Sequence, residues 1–325
     1  MKGVVVTRFG GPEVLEYREM EVPMPGPDQV LIRTKATGVN FADIKGRYGQ
    51  MHGSAPPPYI PGLDVAGVVE VVGKDVTKVR PGDAVIAFPL TGSYAEYVVA
   101  SEALTFPLPE GIDFETAAAC PVVSLTSYML LAHVARMAEG ETVLIHAAAG
   151  GVGTTAVQLA KILGAKLVIG TVGSEVKKEV AKEAGADHVI NYEQEDFVSQ
   201  VLAVTDGKGV DVILDSIAGE VTEKSLKCLA MYGRLVNFGI ASGTPGKVLT
   251  TDLHASCRSL LGFSLGTTRK ERPHLLEEPA KKVLRLIAEG RLRMFIGQRF
   301  ALAEAAQAHR FVENRLSTGK VLLLP

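Results

Sequence analysis

The chain has 325 residues, 47% of them hydrophobic and 22% charged, which is the composition of a folded globular protein long enough for two domains. Its formal net charge of −2 provides no basic surplus for nucleic-acid binding, and no run reaches the roughly 18 apolar residues that a membrane-spanning helix needs. The three cysteines, Cys120, Cys228 and Cys257, lie far apart with no CxxC pair, which argues against a disulfide framework or a cysteine-rich zinc lobe and reads them as buried small hydrophobes.

The apolar run at the start, VVV, meets Arg8 at once and is too short for a secretory signal, so a cytoplasmic protein is expected. From there to about residue 123, short β-rich runs (VVVTR, QVLIRTKATGV, AGVVEVVG, DAVIAF, YAEYVVA) are separated by turn signals such as GGPE, PGPD and RPGD. This is the pattern of an antiparallel or barrel-like β domain. From about residue 124 the pattern becomes strand, helix, strand, helix. Strands are expected at ETVLIH (141–146), AKLVIGT (165–171), ADHVIN (186–191), VDVILDS (210–216), GRLVNFG (233–239) and RSLLGFS (258–264). They are near-continuous apolar runs, as in a parallel sheet covered on both faces. Between the first two, Val152, Ala156, Leu159, Ala160 and Leu163 fall on one helical face. Repeated βα units of this kind predict a doubly wound α/β sheet. The segment 274–325 reads as a helix, a turn, a second helix (302–314) and a closing strand, KVLLLP, which could complete the first domain.

The stretch LIHAAAGGVGTTAVQLAKILGA follows a strand and opens a helix. Its Ala148-x-Gly150-x-x-Gly153 spacing is the dinucleotide fingerprint with alanine in first place. Gly150 lets backbone N–H groups approach a pyrophosphate, and Gly153 lets the helix pack close to the strand. A plain tight βα turn is the bland alternative, and the surrounding βα units argue against it. About twenty residues further on, a NAD site carries an acid on the ribose 2′-hydroxyl. Here the second strand ends at Gly170 and Thr171, and Ser174, Lys177 and Lys178 follow. A hydroxyl and ammonium groups attract a 2′-phosphate, which favours NADPH; Glu175 would oppose it if turned inward.

Taken together, these motifs resemble those of the zinc-independent quinone oxidoreductases (zeta-crystallin-like) of the medium-chain dehydrogenase/reductase superfamily. The resemblance runs essentially end to end and is carried by GVNFAD (38–43), PGLDVAGVV (61–69), GSYAEY (92–97), LTSY (125–128), AAAGGVG (147–153), GTVGS (170–174), INY (190–192), GVDVILDS (209–216) and NRLSTGKVLLLP (314–325). It implies a GroES-like, β-barrel-type catalytic domain over 1–123, completed by about 267–325, and a Rossmann NADPH-binding domain over 124–266. It also implies a homodimer joined through the Rossmann sheet edge at 258–264. Zinc-dependent relatives hold their metal with Cys, His and Cys where this chain has Asn40, Leu63 and Val122, and Cys120 is two residues out of register. Those three side chains are not zinc ligands, and Asp64 cannot hold a metal alone, so no metal is expected. By the same resemblance, Asn40 and Thr126 lie by the nicotinamide and ribose, and Gly151 and Val152 meet the pyrophosphate beside Gly150, with Gly153 binding the cofactor indirectly through the close helix packing. Lys177, Tyr192 and Arg315 surround the adenosine 2′-phosphate, Gly173 and Ser174 also bind the cofactor, Gly239 and Ser242 line it further along, and Phe263 sits near the nicotinamide. Tyr192 as a strand-end aromatic and Arg315 as a helix C-cap cation are the bland alternatives.

Without a metal, only hydrogen-bond donors can meet the charge that develops on the acceptor oxygen. That suits acceptors already activated, namely quinones, enones, enals or enoyl thioesters. The stretch N-x-x-D-x-x-x-R-x-G-x-Y carries a candidate tyrosine acid in several relatives. This chain keeps Asn40, Asp43, Arg47 and Gly49 but has Met51 at the tyrosine position. Tyr48, Tyr59, His52 or water are left as proton sources; Asp43 reads as a cap or orienting group and Arg47 as structural or substrate-binding. Three readings stay open: an NADPH-dependent quinone or enone reductase acting on a small molecule, an enoyl-thioester reductase, and a NADPH-binding structural or sensory protein with little turnover.

Overall fold

The computed structural model describes residues 1–50 and 56–325. Its strands run in chain order as β1 (Lys2–Val6), β2 (Leu15–Glu19), β3 (Gln29–Val39), β4 (Asp64–Val72), β5 (Ala84–Ala87), β6 (Tyr97–Ser101), β7 (Thr105–Pro107), β8 (Thr142–Ile145), β9 (Leu167–Val172), β10 (His188–Asn191), β11 (Val210–Asp215), β12 (Leu229–Asn237), β13 (Ser259–Gly262), β14 (Ile296–Ala301) and β15 (Lys320–Leu324). The chain divides into two compact units, Met1–Leu125 with Gly266–Pro325, and Thr126–Leu265.

In the first unit the eleven-residue β3 is the organiser. It pairs antiparallel with β4, β6 and β15. Its alternating apolar side chains Val30 and Ile32 pack with Val65, Val69, Val85 and Val98 into one cluster; full burial of a side chain of this size contributes about 1.5–3 kcal/mol. The sheet order is β14-β15-β3-β4-β5-β7, with β6 on β3. β14 and β15 come from the C-terminal segment and lie parallel to each other. The register of β15 on β3 sets Val321 opposite Val39, which brings Lys320 level with Asn40. Two strands here lack the apolar alternation on which sequence reading depends. β2 (LEYRE) is mostly exposed, and β14 (IGQRFA) has its apolar residues irregularly spaced.

The second unit is a six-stranded parallel sheet in the order β10-β9-β8-β11-β12-β13. The order reverses between β8 and β11, which creates the crevice where open α/β sheets bind ligands. The helix Gly151–Ile162 buries Ala156, Leu159 and Ala160 completely, the face its sequence period predicts. Among the described residues no helix is long and apolar enough to cross a membrane. Cys120 and Cys228 are buried as read, but Cys257 is exposed. It sits at φ 51 in the turn before β13, a surface position that holds its side chain outside the core.

Candidate functional site

The second unit contains a built cradle at the end of β8. The helix Gly151–Ile162 starts at N-cap Gly150, with no side-chain cap and no acid in its first turn. Its leading N–H groups have no intrahelical acceptor, so they and the helix dipole present donors for an anion. A Cβ on Gly153 would strike the Ala147 carbonyl oxygen and lie 2.6 Å from Ala148 Cα. The glycine therefore sets how closely the helix approaches the strand end. Alanine in the fingerprint's first place has its own compensation. The Ala148 methyl occupies the space next to Gly170 of β9, where an added Cβ would lie 2.6 Å from it. His146 braces the strand ends, with Nδ1 on Thr171 Oγ1 and Nε2 on Ser225 Oγ at 2.9 Å each. Burial depresses its pKa to about 4, so it is neutral there. Ser127 Oγ donates to the Val152 carbonyl at 3.1 Å, tying the helix Pro121–Tyr128 to the loop; its neighbour Thr126 is buried.

At the tip of β9 the structure brings Gly173 and Tyr192 together, for a Cβ on Gly173 would lie 2.6 Å from the tyrosine hydroxyl. Ser174 is the N-cap residue of the helix Glu175–Glu183, and Lys177 lies in its first turn. Glu175 is engaged elsewhere: it accepts from Asn191 Nδ2 at 2.9 Å and pairs with Lys178 at 3.2 Å. Those hydrogen bonds hold its carboxyl below the usual range. Lys178 also pairs with Glu195. The acid that could have repelled a 2′-phosphate is thus tied to internal partners. On the other side of the crevice, Gly239 lies against the Ser216 backbone, Ser242 Oγ bonds Thr244 and lies near Gly219, and the Phe263 amide donates to Asn237 O at 3.1 Å.

Asn40, Tyr48, Tyr59 and Arg315 belong to the first unit. Arg315 follows the helix Ala305–Glu313 at φ 56, in the left-handed position that ends many helices. Asn40 is 7% exposed and caps the helix Phe41–Arg47. Its backbone N–H donates to Asp43 Oδ2 at 2.8 Å, and its side-chain Nδ2 donates to Asp64 Oδ2, also at 2.8 Å. Lys320 Nζ donates to Asn40 Oδ1 and to Asp64 Oδ2 at 2.7 Å each, and to the Val39 carbonyl at 3.1 Å. The other Asp64 oxygen accepts the Val122 N–H at 2.7 Å. At positions 40 and 122, for which the resemblance implies zinc ligands in metal-dependent relatives, the chain instead grips the Asp64 carboxylate, which pairs with the internal Lys320 ammonium. Leu63 is buried beside it, and Cys120 is raised to about 12 by burial, so it stays a thiol. Among the described residues no group of three or more His, Cys, Asp and Glu is placed to hold a metal ion.

Below Asn40 runs a buried chain that sequence reading did not assemble. Arg47 is fully buried and pairs with Glu313 at 2.5 Å, donating also to the Gly10 carbonyl and to His309 Nδ1. Because arginine only donates, His309 must carry its proton on Nε2. That N–H then donates to the Tyr94 oxygen at 3.2 Å, and Tyr94 donates to Asp43 Oδ2 at 3.0 Å. Burial and the Arg47 charge depress His309 to about 3, which keeps it neutral. Arg47 is thus structural rather than substrate-binding. Tyr48 is 40% exposed, with the Arg47 guanidinium 4.6 Å over its ring. Tyr59 is different: its hydroxyl is buried and has no hydrogen-bond partner among the described residues. Burial first, then the Asp43 charge, raises it to about 12, so it stays protonated. Met51 and His52 lie outside the described residues.

With this geometry in place, the relationships of the chain can be stated. Residues 26–110 match the alcohol dehydrogenase GroES-like domain and residues 151–281 the family described as zinc-binding dehydrogenase. The quinone oxidoreductase of Pseudomonas aeruginosa is 42% identical over 100% of this chain and 99% of its own length. The chain belongs to the quinone oxidoreductase family. Among solved structures, that of Escherichia coli quinone oxidoreductase complexed with NADPH superposes with a TM-score of 0.94 at 35% identity, covering both chains completely. That of the Pseudomonas syringae pv. tomato quinone oxidoreductase gives 0.92 at 37% identity, over 100% of this chain and 99% of that one. Positions 40, 63 and 122, where the sequence resemblance implies zinc ligands in metal-dependent relatives, carry an amide and two aliphatic side chains.

Proposed function

We propose that this protein is a cytoplasmic NADPH-dependent reductase that delivers hydride to a quinone, or to a conjugated enone or enal, without a metal. The observation that carries this reading is the replacement of the zinc ligands by Asn40, Leu63 and Val122 on a scaffold whose glycine loop keeps its uncapped helix N-terminus. When bound, NADPH supplies the hydride. The backbone of Gly150, Gly151, Val152 and Gly153 holds the pyrophosphate, with Thr126 on the ribose. Gly173, Ser174, Lys177, Tyr192 and Arg315 hold the 2′-phosphate; an arginine fork suits such a group. Gly239, Ser242 and Phe263 line the rest. Asn40 contributes a side-chain N–H, and charge on the acceptor oxygen is met by such donors alone. A quinone or enone delocalises that charge; a simple aldehyde does not. The names of the relatives favour this reading over an enoyl-thioester reductase or a non-enzymatic binding protein.

A difference in melting temperature tests the cofactor assignment. At equal concentrations NADPH is expected to stabilise the protein more than NADH; a tenfold difference in affinity is about 1.4 kcal/mol. Equal shifts would remove the roles given to Lys177, Tyr192 and Arg315.

For the proton, Tyr59 is the better supported of the two tyrosines, since its protonated hydroxyl has no partner to give up among the described residues. Tyr59→Phe is expected to leave the melting temperature unchanged or slightly raised, because it removes an unpaired buried hydroxyl. The same variant is expected to lower kcat on an enone by roughly 100-fold or more. An unaltered kcat would pass the role to Tyr48 or to solvent. We further propose a homodimer built on β13, the end strand of its sheet, whose outer edge pairs with no other strand among the described residues and could pair with a second copy.

A further inference from the structure

We infer that Lys320 is the positioning cation of this site: it fixes which face of the Asn40 carboxamide a ligand meets. The inference rests on the role proposed for Asn40.

An ammonium has three donors and no acceptor. All three of Lys320 are used, on Val39 O, Asn40 Oδ1 and Asp64 Oδ2. Since Nζ can only donate, the amide oxygen of Asn40 must face inward, and one Nδ2 hydrogen goes to Asp64. The remaining Nδ2 hydrogen has only the Gly38 carbonyl at 3.5 Å, a long and weak contact that a better acceptor can displace, so it is the group left to offer. Asn40 is thereby a donor toward a ligand, which a freely flipping amide would not be. The positive charge 2.7 Å from Oδ1 also polarises the amide and strengthens that donor.

The backbone is shaped around this arrangement. A Cβ on Gly38 would lie 2.9 Å from Asp64 Oδ2, from Lys320 Cε and from the Ala118 carbonyl. Lys320 and Asp64 are 3% and 0% exposed. A buried ion pair of this kind adds little stability over a well-packed apolar pair, so fold stability alone does not account for it. It does account for a fixed amide and a permanent cation against the Asn40 carboxamide.

The test is a variant series assayed with NADPH and a 1,4-quinone. Lys320→Met alone strands a buried carboxylate and is expected to melt early, so the informative variant is Asp64→Asn/Lys320→Met, in which no charge is left unpaired. It is expected to melt near the parent temperature, to keep its KM for NADPH within about threefold, and to lose about tenfold or more in kcat. Adding Asn40→Ala to it should cost little more, because both changes act through one amide. If the double variant recovers the parent kcat while Asn40→Ala alone is slow, Lys320 only balances charge and the inference is overturned. If Asn40→Ala alone turns over at the parent rate, the Asn40 reading falls, and the inference with it.

Discussion

An Asp43→Asn variant is expected to melt several degrees above the parent at pH 8 and at the same temperature near pH 4. Asp43 is 4% exposed, and burial is the largest cause that raises its carboxyl from 3.8 to about 7. The Asp64 charge adds to the rise; the hydrogen bonds from Asn40 and Tyr94 and the Lys320 charge oppose it without reversing it. A carboxyl with a folded pKa above its unfolded one takes up its proton on folding. Its stabilising contribution is complete below about pH 4 and is lost as pH rises through 7, and the difference across that window is roughly 4 kcal/mol. Both donors fall on Oδ2, so Oδ1 can carry the proton without breaking either bond. Asparagine keeps an oxygen for the same two donors and removes the titration. Thermal melts of both proteins between pH 4 and pH 8 check this, and parallel curves would show that Asp43 stays ionised.

Gly153→Val is expected to abolish useful cofactor binding. The added side chain meets the backbone of Ala147 and Ala148, which cannot move aside as a flexible side chain could. The helix Gly151–Ile162 must withdraw from β8, and overpacking of this kind costs about 1–3 kcal/mol in stability. The larger effect is expected on NADPH, because the N–H groups proposed to hold its pyrophosphate move with the helix. We expect the Kd to rise by about 100-fold, or roughly 2.7 kcal/mol, by fluorescence titration. Gly150→Ala should be milder, since its nearest contact would be the Ala147 carbonyl at 3.4 Å.

The architecture was legible where hydrophobic period and turn chemistry agree. The parallel strands are apolar throughout, the helix after the glycine loop repeats at helical spacing, and the first unit alternates between turns. β2 and β14 are not legible in the sequence, because their residues are largely exposed and carry no such period; pairing with β1 and β15, not propensity, makes them strands. The site was legible in part. Asn40, Gly150 and Gly153 announce themselves by motif. The motif NRLSTGKVLLLP gives Lys320 no role by itself, although a lysine opening an otherwise apolar strand is a signal of a buried partner. His309 and Tyr94 stand 215 residues apart and Arg47 and His309 stand 262 apart, so no local pattern could join them.

The most direct test is consumption of NADPH by the purified protein with a panel of acceptors: 1,2- and 1,4-quinones, a 2-alkenal, a cyclic enone and crotonyl-CoA. The account predicts turnover with a quinone or a conjugated enone or enal, faster with NADPH than with NADH and unchanged after exhaustive treatment with a chelator. No consumption with any acceptor, or activity lost to the chelator and restored by zinc, would contradict it.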